Sequence, residues 1–261
     1  RWILRRHHLE DDPATRLLLR HYITSAASLA GSFTRLLDRH APRAVLLFNG
    51  ITYPEALLKH LAKARGIPVF THEVALRPYT AFFSAGEATA YPIHIPDDFE
   101  LNEAQNQRLD EYLSQRFQGN FSMAGVQFWP EMRSLDQALL DKAAGFKQIV
   151  PVFSNVIFDT SQAHANVIFE TMFAWLDEVL ALAKAHPETL FVLRAHPDEE
   201  RPGKEARESV ARWAAQSGAL ELPNLHFVPS TEFISSYELI QRSKFVMVYN
   251  STIGLEASLM G

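Results

Sequence analysis

Residues 245–261 are Phe245-Val-Met-Val-Tyr-Asn-Ser-Thr-Ile-Gly-Leu-Glu-Ala-Ser-Leu-Met-Gly261. The apolar run at the start of this stretch predicts a buried strand, and the residues from Ile253 to Met260 predict a helix. Between them lie three small polar residues, Asn250, Ser251 and Thr252. A strand that passes through small polar residues into a helix brings hydroxyls and backbone amides to one point. That arrangement suits a phosphate group.

Glu256 lies one helical turn beyond Thr252, so we expect it to face the same site. The alternative interpretation of this stretch is a capped helix that follows a core strand, with Glu256 as a surface residue.

Composition sets limits on the function. The 261 residues carry a formal net charge of −5 with scattered Lys and Arg, so we expect no nucleic-acid partner. Because there is no cysteine, disulfides and cysteine-based zinc sites are excluded, and a cytoplasmic location is compatible. No apolar run reaches membrane-spanning length, although peripheral attachment to the inner membrane stays open. The first residue is Arg1 and the last is Gly261, at the end of a predicted helix, so we expect truncation at one or both ends.

The first half of the sequence predicts one βαβ unit after a long amphipathic helix that ends near His40. The apolar run 44–48 predicts a buried parallel strand, 53–65 a helix, and 67–71 a second strand. His72 and Glu73 follow this second strand. Ligands of open α/β sheets bind beyond the carboxyl ends of the strands, so these two residues are candidates for a site. The stretch 74–99 is predicted to be a long functional loop.

From residue 147 onward, strands and helices alternate regularly. Strands are predicted at 148–153, 190–193, 225–228 and 245–249, and helices at 164–185, 205–217 and 234–242. This order predicts an α/β fold of two Rossmann-like domains with parallel sheets that face each other across a cleft. The predicted division is an incomplete Rossmann-like domain over residues 1–140 and a second Rossmann-like domain over residues 141–261.

Three strand exits in the second half carry polar groups that predict one ligand site. They are Ser154-Asn155, Arg194-Ala-His196-Pro197 and Asn250-Ser251-Thr252. His196 can donate a hydrogen bond to a phosphate oxygen or serve as an acid near neutral pH. For Arg194 the alternative to a ligand contact is an ion pair with Asp198 or Glu199.

Three short motifs resemble the capsule polysaccharide biosynthesis proteins. They are Val152-Phe-Ser-Asn-Val-Ile-Phe-Asp159, Arg194-Ala-His-Pro-Asp-Glu199 and Tyr249-Asn-Ser-Thr-Ile-Gly-Leu-Glu-Ala257. Those proteins are GT-B-type glycosyltransferases related to bacterial sialyltransferases, Kdo transferases and the polyglycerolphosphate transferases of wall teichoic acid. The resemblance covers residues 147–261 and is only architectural over residues 1–146.

The resemblance implies a GT-B-like glycosyltransferase. No pair of carboxylates in the sequence is typical of a metal site, so we expect a metal-independent enzyme that needs no cofactor. Its partners would be a nucleotide-sugar donor, such as a CMP- or UDP-sugar, and a saccharide or lipid-linked saccharide acceptor. His196 and Pro197, together with Ser251 and Thr252, would hold the phosphates and nucleoside, and Glu256 the ribose or sugar hydroxyls. Ser154, Asn155, Arg194 and Asn250 complete the expected donor site.

The acidic motif that carries the catalytic base in those relatives is absent in its usual form, since Asp97-Asp98 lacks the following glycine and Gly86-Glu87 is reversed. Glu73 is therefore our candidate base, with His72 the weaker choice and a structural carboxylate the alternative. The expected reaction is an inverting transfer in which Glu73 deprotonates the acceptor hydroxyl and His196 stabilises the leaving phosphate.

Two other functions stay open. A UDP-GlcNAc 2-epimerase, an isomerase on the same scaffold, would use a similar His-Pro exit and act without an acceptor. It needs several acid/base groups around the sugar, for which the sequence offers Glu73, His72 and Asp159. A non-catalytic carbohydrate-assembly protein that retains the fold would account for the missing base motif.

Overall fold

The computed structural model describes residues 4–75, 79–119, 132–159, 166–203 and 205–261. These residues form two compact units. The amino-terminal unit contains Leu9–Gln105, and the carboxy-terminal unit contains the described residues of Arg1–His8, Asn106–Phe121 and Gln127–Gly261. The α/β class predicted from the sequence is confirmed. The predicted division into domains at residue 140 stays a prediction.

The amino-terminal unit opens with the long helix α1 (Pro13–His40). The side chain of Asp12 accepts the backbone amide of Thr15 at 2.7 Å, and Pro13 occupies the first turn, where its missing N–H costs nothing. The predicted βαβ unit follows as β1 (Val45–Phe48), α2 (Glu55–Lys63) and β2 (Val69–Val74), and its two strands are parallel. The predicted long loop contains a third strand, β3 (Ala81–Ser84), which pairs antiparallel with β2.

Among the described residues, helices of the unit pack on one face of this three-stranded sheet. Its core joins Leu37 of α1, Leu47 of β1, Ala62 of α2 and Val69 of β2. On the other face, Leu46 is 58% and Phe48 is 44% exposed. The prediction that residues 44–48 form a buried strand is therefore wrong for alternate residues, because helices cover only the side to which Val45 and Leu47 point.

The carboxy-terminal unit is a doubly wound α/β structure. It contains most of α3 (Glu103–Phe117), and then α4 (Gln137–Ala144), β4 (Gln148–Phe153), α5 (Met172–Ala185), β5 (Thr189–Arg194), α6 (Val210–Gln216), β6 (Leu225–Val228), α7 (Ser236–Gln241), β7 (Met247–Val248) and α8 (Ile253–Leu259). The four strands are all parallel, in the order β6-β5-β4-β7. This unit is the Rossmann-like fold that the sequence predicted.

Alternate residues of the central strands pack on opposite faces of the sheet, as the two-residue period of a strand requires. Phe191 and Leu193 of β5 join a core with Leu176 of α5 and Ala214 of α6. Leu190 and Val192 join a second core, with residues of α4 and α7. Burial on both faces explains why these strands are continuous apolar runs in the sequence.

Two predicted elements differ in extent. The helix predicted at 164–185 begins at Met172, because Thr171 is in an extended conformation and its side chain accepts the backbone amide of Ala174 at 3.1 Å. Residues 164 and 165 of that predicted helix lie outside the described residues. In the part of the chain that the structure describes, the strand predicted at 245–249 pairs only over Met247–Val248, where β7 lies beside β4, and Phe245 is 53% exposed.

The first described residues belong to the carboxy-terminal unit, which the sequence did not indicate. The guanidinium of Arg5 donates to the carbonyl of Gly203 at 3.0 Å, and Arg5 accepts the amide of Arg207 at 2.9 Å. The amide of His7 donates to Glu208 at 2.8 Å. Among the helices that the structure describes, none has the length and apolar character needed to cross a bilayer.

Candidate functional site

The strand order of the carboxy-terminal unit creates a topological switch point. From β4 the chain moves to β5 and then to β6 on one side, whereas β7 lies on the other side of β4. The helix that follows β4, α5, packs on one face of the sheet, and the helix that follows β7, α8, packs with α7 on the other face. Open α/β sheets bind their ligands in the crevice at this point.

Hydrogen bonds join the polar exits of three neighbouring strands. The hydroxyl of Ser154, after β4, donates to the carbonyl of Arg194 at 2.9 Å, and the Ser154 amide donates to the same oxygen at 3.3 Å. On the other side, Nδ2 of Asn155 donates to the carbonyl of Asn250 at 2.6 Å. The structure thus brings together Ser154, Asn155, Arg194 and Asn250 at one edge of the sheet, as the sequence predicted.

Asn155 acts as a clamp between β4 and β7. Its side chain is buried, and besides the bond to Asn250 its Oδ1 accepts the amide of Val156 at 2.7 Å. Because β7 pairs with β4 over two residues only, contacts beyond the ladder hold it in place. A second such contact is the hydroxyl of Tyr249, which donates to Oδ1 of Asn166 at 2.6 Å. Asn155 is therefore a buried residue that holds the ends of β4 and β7 together and so defines one part of the crevice.

The turn after β7 departs from the predicted capping arrangement. Asn250 has a φ of 43°, a left-handed conformation that asparagine tolerates better than most residues. Thr252 stands at the N-cap position of α8, but its side chain makes no capping hydrogen bond. Its backbone is already helical (φ −61°, ψ −18°), whereas a capping side chain needs an extended residue. Ser251 is half-buried and Thr252 is exposed.

His196 lies at the exit of β5 and caps the short 3₁₀ helix Pro197–Glu200. Its Nδ1 accepts the backbone amide of Asp198 at 3.1 Å. Burial lowers the pKa of His196 below its usual value, and the charge of Arg194 lowers it further, against the opposing effect of Asp198 and Asp159. The imidazole is half-buried, and Pro197 fixes the turn that follows it.

Arg194 packs on the α7 side of the sheet. It is 3% exposed, and its guanidinium donates to the carbonyls of Ile234 and, at 3.4 Å, of Glu232. Burial lowers the pKa of Arg194 to about 10, an effect that the charge of Glu232 partly offsets. These contacts hold the loop before α7 against the end of β5. The role of Arg194 as a ligand contact stays a prediction.

Glu256 is buried in a polar cluster with Arg116 of α3 and Tyr237 of α7. Its Oε1 accepts Nε of Arg116 at 2.9 Å and Nη2 at 2.5 Å, and its Oε2 accepts the hydroxyl of Tyr237 at 2.7 Å. Burial lowers the pKa of Arg116, but the hydrogen bonds and charge of Glu256 outweigh this and raise it above the usual value. Burial and the nearby carboxylate also raise the pKa of Tyr237. The alternative interpretation of Glu256 as a surface glutamate is therefore wrong, and its predicted role in holding ribose or sugar hydroxyls stays a prediction.

Glu73 belongs to the amino-terminal unit. It lies near the carboxyl end of β2, is half-buried, and its Oε1 accepts the amide of Val74 at 2.8 Å. The ring of its neighbour His72 stands between Phe48 and Phe83, with centroid distances of 5.4 and 5.6 Å. The role of Glu73 as the base stays a prediction.

Sequence reasoning missed several residues around the exits. Tyr249 and Asn166 bond to each other, and Trp175 of α5 packs on the Tyr249 ring with a centroid distance of 5.3 Å. Glu199 is 1% exposed, and its Oε1 accepts the amide of Val210 at 2.6 Å. The only sequence signal for Tyr249 was its place at the end of a predicted strand. For Glu199 it was an acidic side chain two positions after His-Pro.

No family model and no curated protein matches the chain. Three solved structures are similar to it at low level. They are a complex of S. aureus MnaA with UDP (13% identity, TM-score 0.33), a putative UDP-N-acetylglucosamine 2-epimerase from Listeria monocytogenes (11%, 0.33) and a further UDP-N-acetylglucosamine 2-epimerase (14%, 0.29). The matches cover 86%, 89% and 85% of this chain but only 58%, 59% and 54% of theirs. The fold assignment therefore stands on the observed strand order.

Proposed function

We propose that the carboxy-terminal unit binds the nucleotide part of a nucleotide sugar at the crevice between β4 and β7. The observation that carries the proposal is the switch point, where the hydrogen-bonded exits of β4, β5 and β7 place polar groups at one edge of a parallel sheet. Ser251, Thr252 and His196 supply hydroxyl and imidazole groups suited to phosphate oxygens.

We further propose that the chain is a glycosyltransferase of surface polysaccharide assembly, on the basis of the resemblance of its three motifs to the capsule family. A carboxylate of the amino-terminal unit, for which Glu73 is the candidate, takes the proton of the acceptor hydroxyl. The acceptor oxygen forms a bond to the anomeric carbon while the bond from that carbon to the phosphate oxygen breaks. The electron pair leaves with the phosphate, so the sugar is transferred with inversion.

Nucleotide binding is tested first, by thermal unfolding of the chain with CMP, CDP, UDP or GDP. A ligand present at about 100 times its Kd stabilises the native state by about 2.7 kcal/mol, so at least one of them should raise the Tm. His196→Ala should reduce this shift. His186→Ala is the matched control, since His186 is an exposed histidine that ends α5 at the opposite, amino edge of the sheet. If none of the four nucleotides changes the Tm of the wild-type chain, the proposal is wrong.

Activity distinguishes the proposed transfer from its two alternatives. Incubation with UDP-GlcNAc alone gives a new sugar only if the chain is an epimerase. A product that forms only when a saccharide acceptor is added supports transfer, and binding without turnover supports the non-catalytic alternative. For a transferase, Glu73→Gln should lower kcat by about 10²–10⁴ and leave nucleotide affinity unchanged, because it removes only the base.

A further inference from the structure

The basic residues of the amino-terminal unit are concentrated in one part of the chain. Residues 13–65, which comprise α1, β1, α2 and their connections, contain eight Lys and Arg but two Asp and Glu, a formal charge of +6. Because the whole chain carries −5, the remaining residues together carry −11. The net charge of the chain does not reveal this asymmetry. A segment with such an excess of positive charge favours an acidic partner.

Most of these cations belong to the carboxyl ends of α1 and α2. The guanidinium of Arg65, just after α2, donates to Oδ1 of Asp38 in the last turn of α1 at 3.1 Å, so the two helix ends lie side by side. The same helix ends, and the connection from α1 to β1, carry four further exposed cations, Arg35, Arg39, Arg43 and Lys63. Arg35 and Arg39 are one helical turn apart and therefore share a face of α1.

The charge of these residues is not neutralised within the described part of the chain. Arg16, Lys59 and Arg65 pair with Asp11, Glu87 and Asp38. No salt bridge joins a carboxylate of the described residues to the other five, which are Arg20, Arg35, Arg39, Arg43 and Lys63. We call these five exposed side chains the basic face.

The solvent side of α1 combines cations with apolar side chains. Among the 28 residues of α1, the buried ones are Thr15 and Leu37. Arg20 precedes Arg35 by about four helical turns, which places both on the same side of the helix. Leu17 and Ile23 are more than half exposed, and each lies three residues from Arg20, so they flank it. Arginines with apolar neighbours on an exposed helix are typical of segments that lie at a lipid–water interface.

We propose that the basic face binds the surface of an anionic phospholipid membrane, with α1 lying along it. The lipid headgroups supply the negative charge that the basic face lacks, and the acyl boundary accepts Leu17 and Ile23. About four to eight Lys and Arg on an amphipathic helix are the usual number for recognition of acidic lipids. Proteins that bind single-stranded nucleic acid offer exposed aromatic rings to the bases, whereas the rings of α1, Tyr22 and Phe33, are half-buried.

Co-sedimentation of the full chain with lipid vesicles tests this proposal. Without any nucleotide, the chain should bind vesicles of phosphatidylcholine that contain about 30% phosphatidylglycerol, and bind vesicles of phosphatidylcholine alone far more weakly. Addition of about 0.5 M NaCl should release most of the bound chain, because salt at this concentration screens exposed charges beyond a few ångström. No binding to the phosphatidylglycerol vesicles would refute the proposal.

Two double variants test whether the basic face is responsible. Arg35→Gln with Arg39→Gln should lower the partition coefficient to phosphatidylglycerol vesicles about 25-fold, since each Lys or Arg near an anionic surface contributes about a factor of five. Glutamine is a good helix former, so the Tm should stay close to wild type. Arg212→Gln with Arg242→Gln is the matched control, because it removes the same charge from exposed arginines of the carboxy-terminal unit and should leave the partition coefficient nearly unchanged.

Two outcomes of this comparison would contradict the proposal. An equal loss of vesicle binding in both double variants would show that net charge, and not the basic face, governs attachment. Binding to a DNA duplex of about 20 base pairs that depends on Arg35 and Arg39, without binding to the vesicles, would assign the basic face to a nucleic acid. Since the vesicle assay contains no nucleotide and the nucleotide assay no lipid, failure of one leaves the other proposal standing.

Discussion

Glu256→Ala is expected to destabilise the carboxy-terminal unit by about 3–5 kcal/mol, because it removes one partner of a buried ion pair. The carboxylate is 6% exposed and accepts three hydrogen bonds, two from Arg116 and one from Tyr237. In the variant the buried guanidinium loses that carboxylate and the Tyr237 hydroxyl loses its acceptor. Each buried polar group that loses its bond costs about 1–3 kcal/mol, and a charged group costs more.

The structure also predicts a compensating variant. Arg116→Met, Glu256→Leu and Tyr237→Phe together remove all three polar ends and retain apolar side chains of similar size. Buried ion pairs replaced in this way often leave stability unchanged or improved, so the triple variant should recover at least half of the loss. Arg242→Ala is the control, because its 2.9 Å pair with Glu238 is partly exposed and is expected to contribute only about 0.3–0.5 kcal/mol.

Urea unfolding followed by tryptophan fluorescence measures these differences. The tryptophans among the described residues, Trp175 and Trp213, both lie in helices of the carboxy-terminal unit. UDP binding to the triple variant then tests the role of Glu256. If the Glu256 carboxylate serves only the fold, the triple variant binds UDP with unchanged affinity. A loss below 1 kcal/mol for Glu256→Ala, or a stable triple variant that no longer binds a nucleotide which the wild type binds, would refute the structural role.

Three further outcomes are expected. Burial raises the pKa of Glu199 to about 7 from 4.5, which favours its protonated form in the folded state, so stability is lost as the pH rises. Urea unfolding of Glu199→Gln should therefore gain about 2 kcal/mol relative to wild type between pH 5.5 and 8.5. Asn155→Asp places an oxygen against the carbonyl of Asn250 and should weaken nucleotide binding about tenfold by calorimetry, with Asn155→Ala less affected. Thr171→Ala should cost about 0.5–2 kcal/mol in thermal unfolding and Thr171→Ser less, since serine restores the cap of α5.

The order of elements was predictable because it depends on local patterns. Apolar runs of strand length, short connections and helix-forming stretches specify a parallel α/β unit wherever both faces of the strands are buried, as they are in β4 and β5. The same rule failed for residues 44–48, because an apolar run cannot reveal that helices cover one face only. It also overestimated β7, where pairing depends on neighbours and not on composition.

The meeting of the polar strand exits was predictable for a topological reason. Polar residues that follow parallel strands meet at one edge of the sheet, so the sequence alone grouped Ser154, Asn155, Arg194 and Asn250. Their individual contacts were not predictable. Arg116, one of the two partners of Glu256, is 140 residues away, on a helix whose packing against α7 and α8 no local pattern encodes.

The contacts at the strand exits divide the predicted site residues by what their polar atoms already bind. Asn155, Arg194 and Glu256 are buried, and their side chains hold neighbouring segments together, so they set the width and stiffness of the crevice. Thr252 is exposed and its hydroxyl makes no capping bond, whereas Nδ1 of His196 accepts the amide of Asp198 in the turn after β5. A ligand gains more from groups that need no rearrangement than from groups whose internal bonds must first break. Substitution of Asn155, Arg194 or Glu256 should therefore change stability and affinity together, and substitution of Thr252 should change affinity alone.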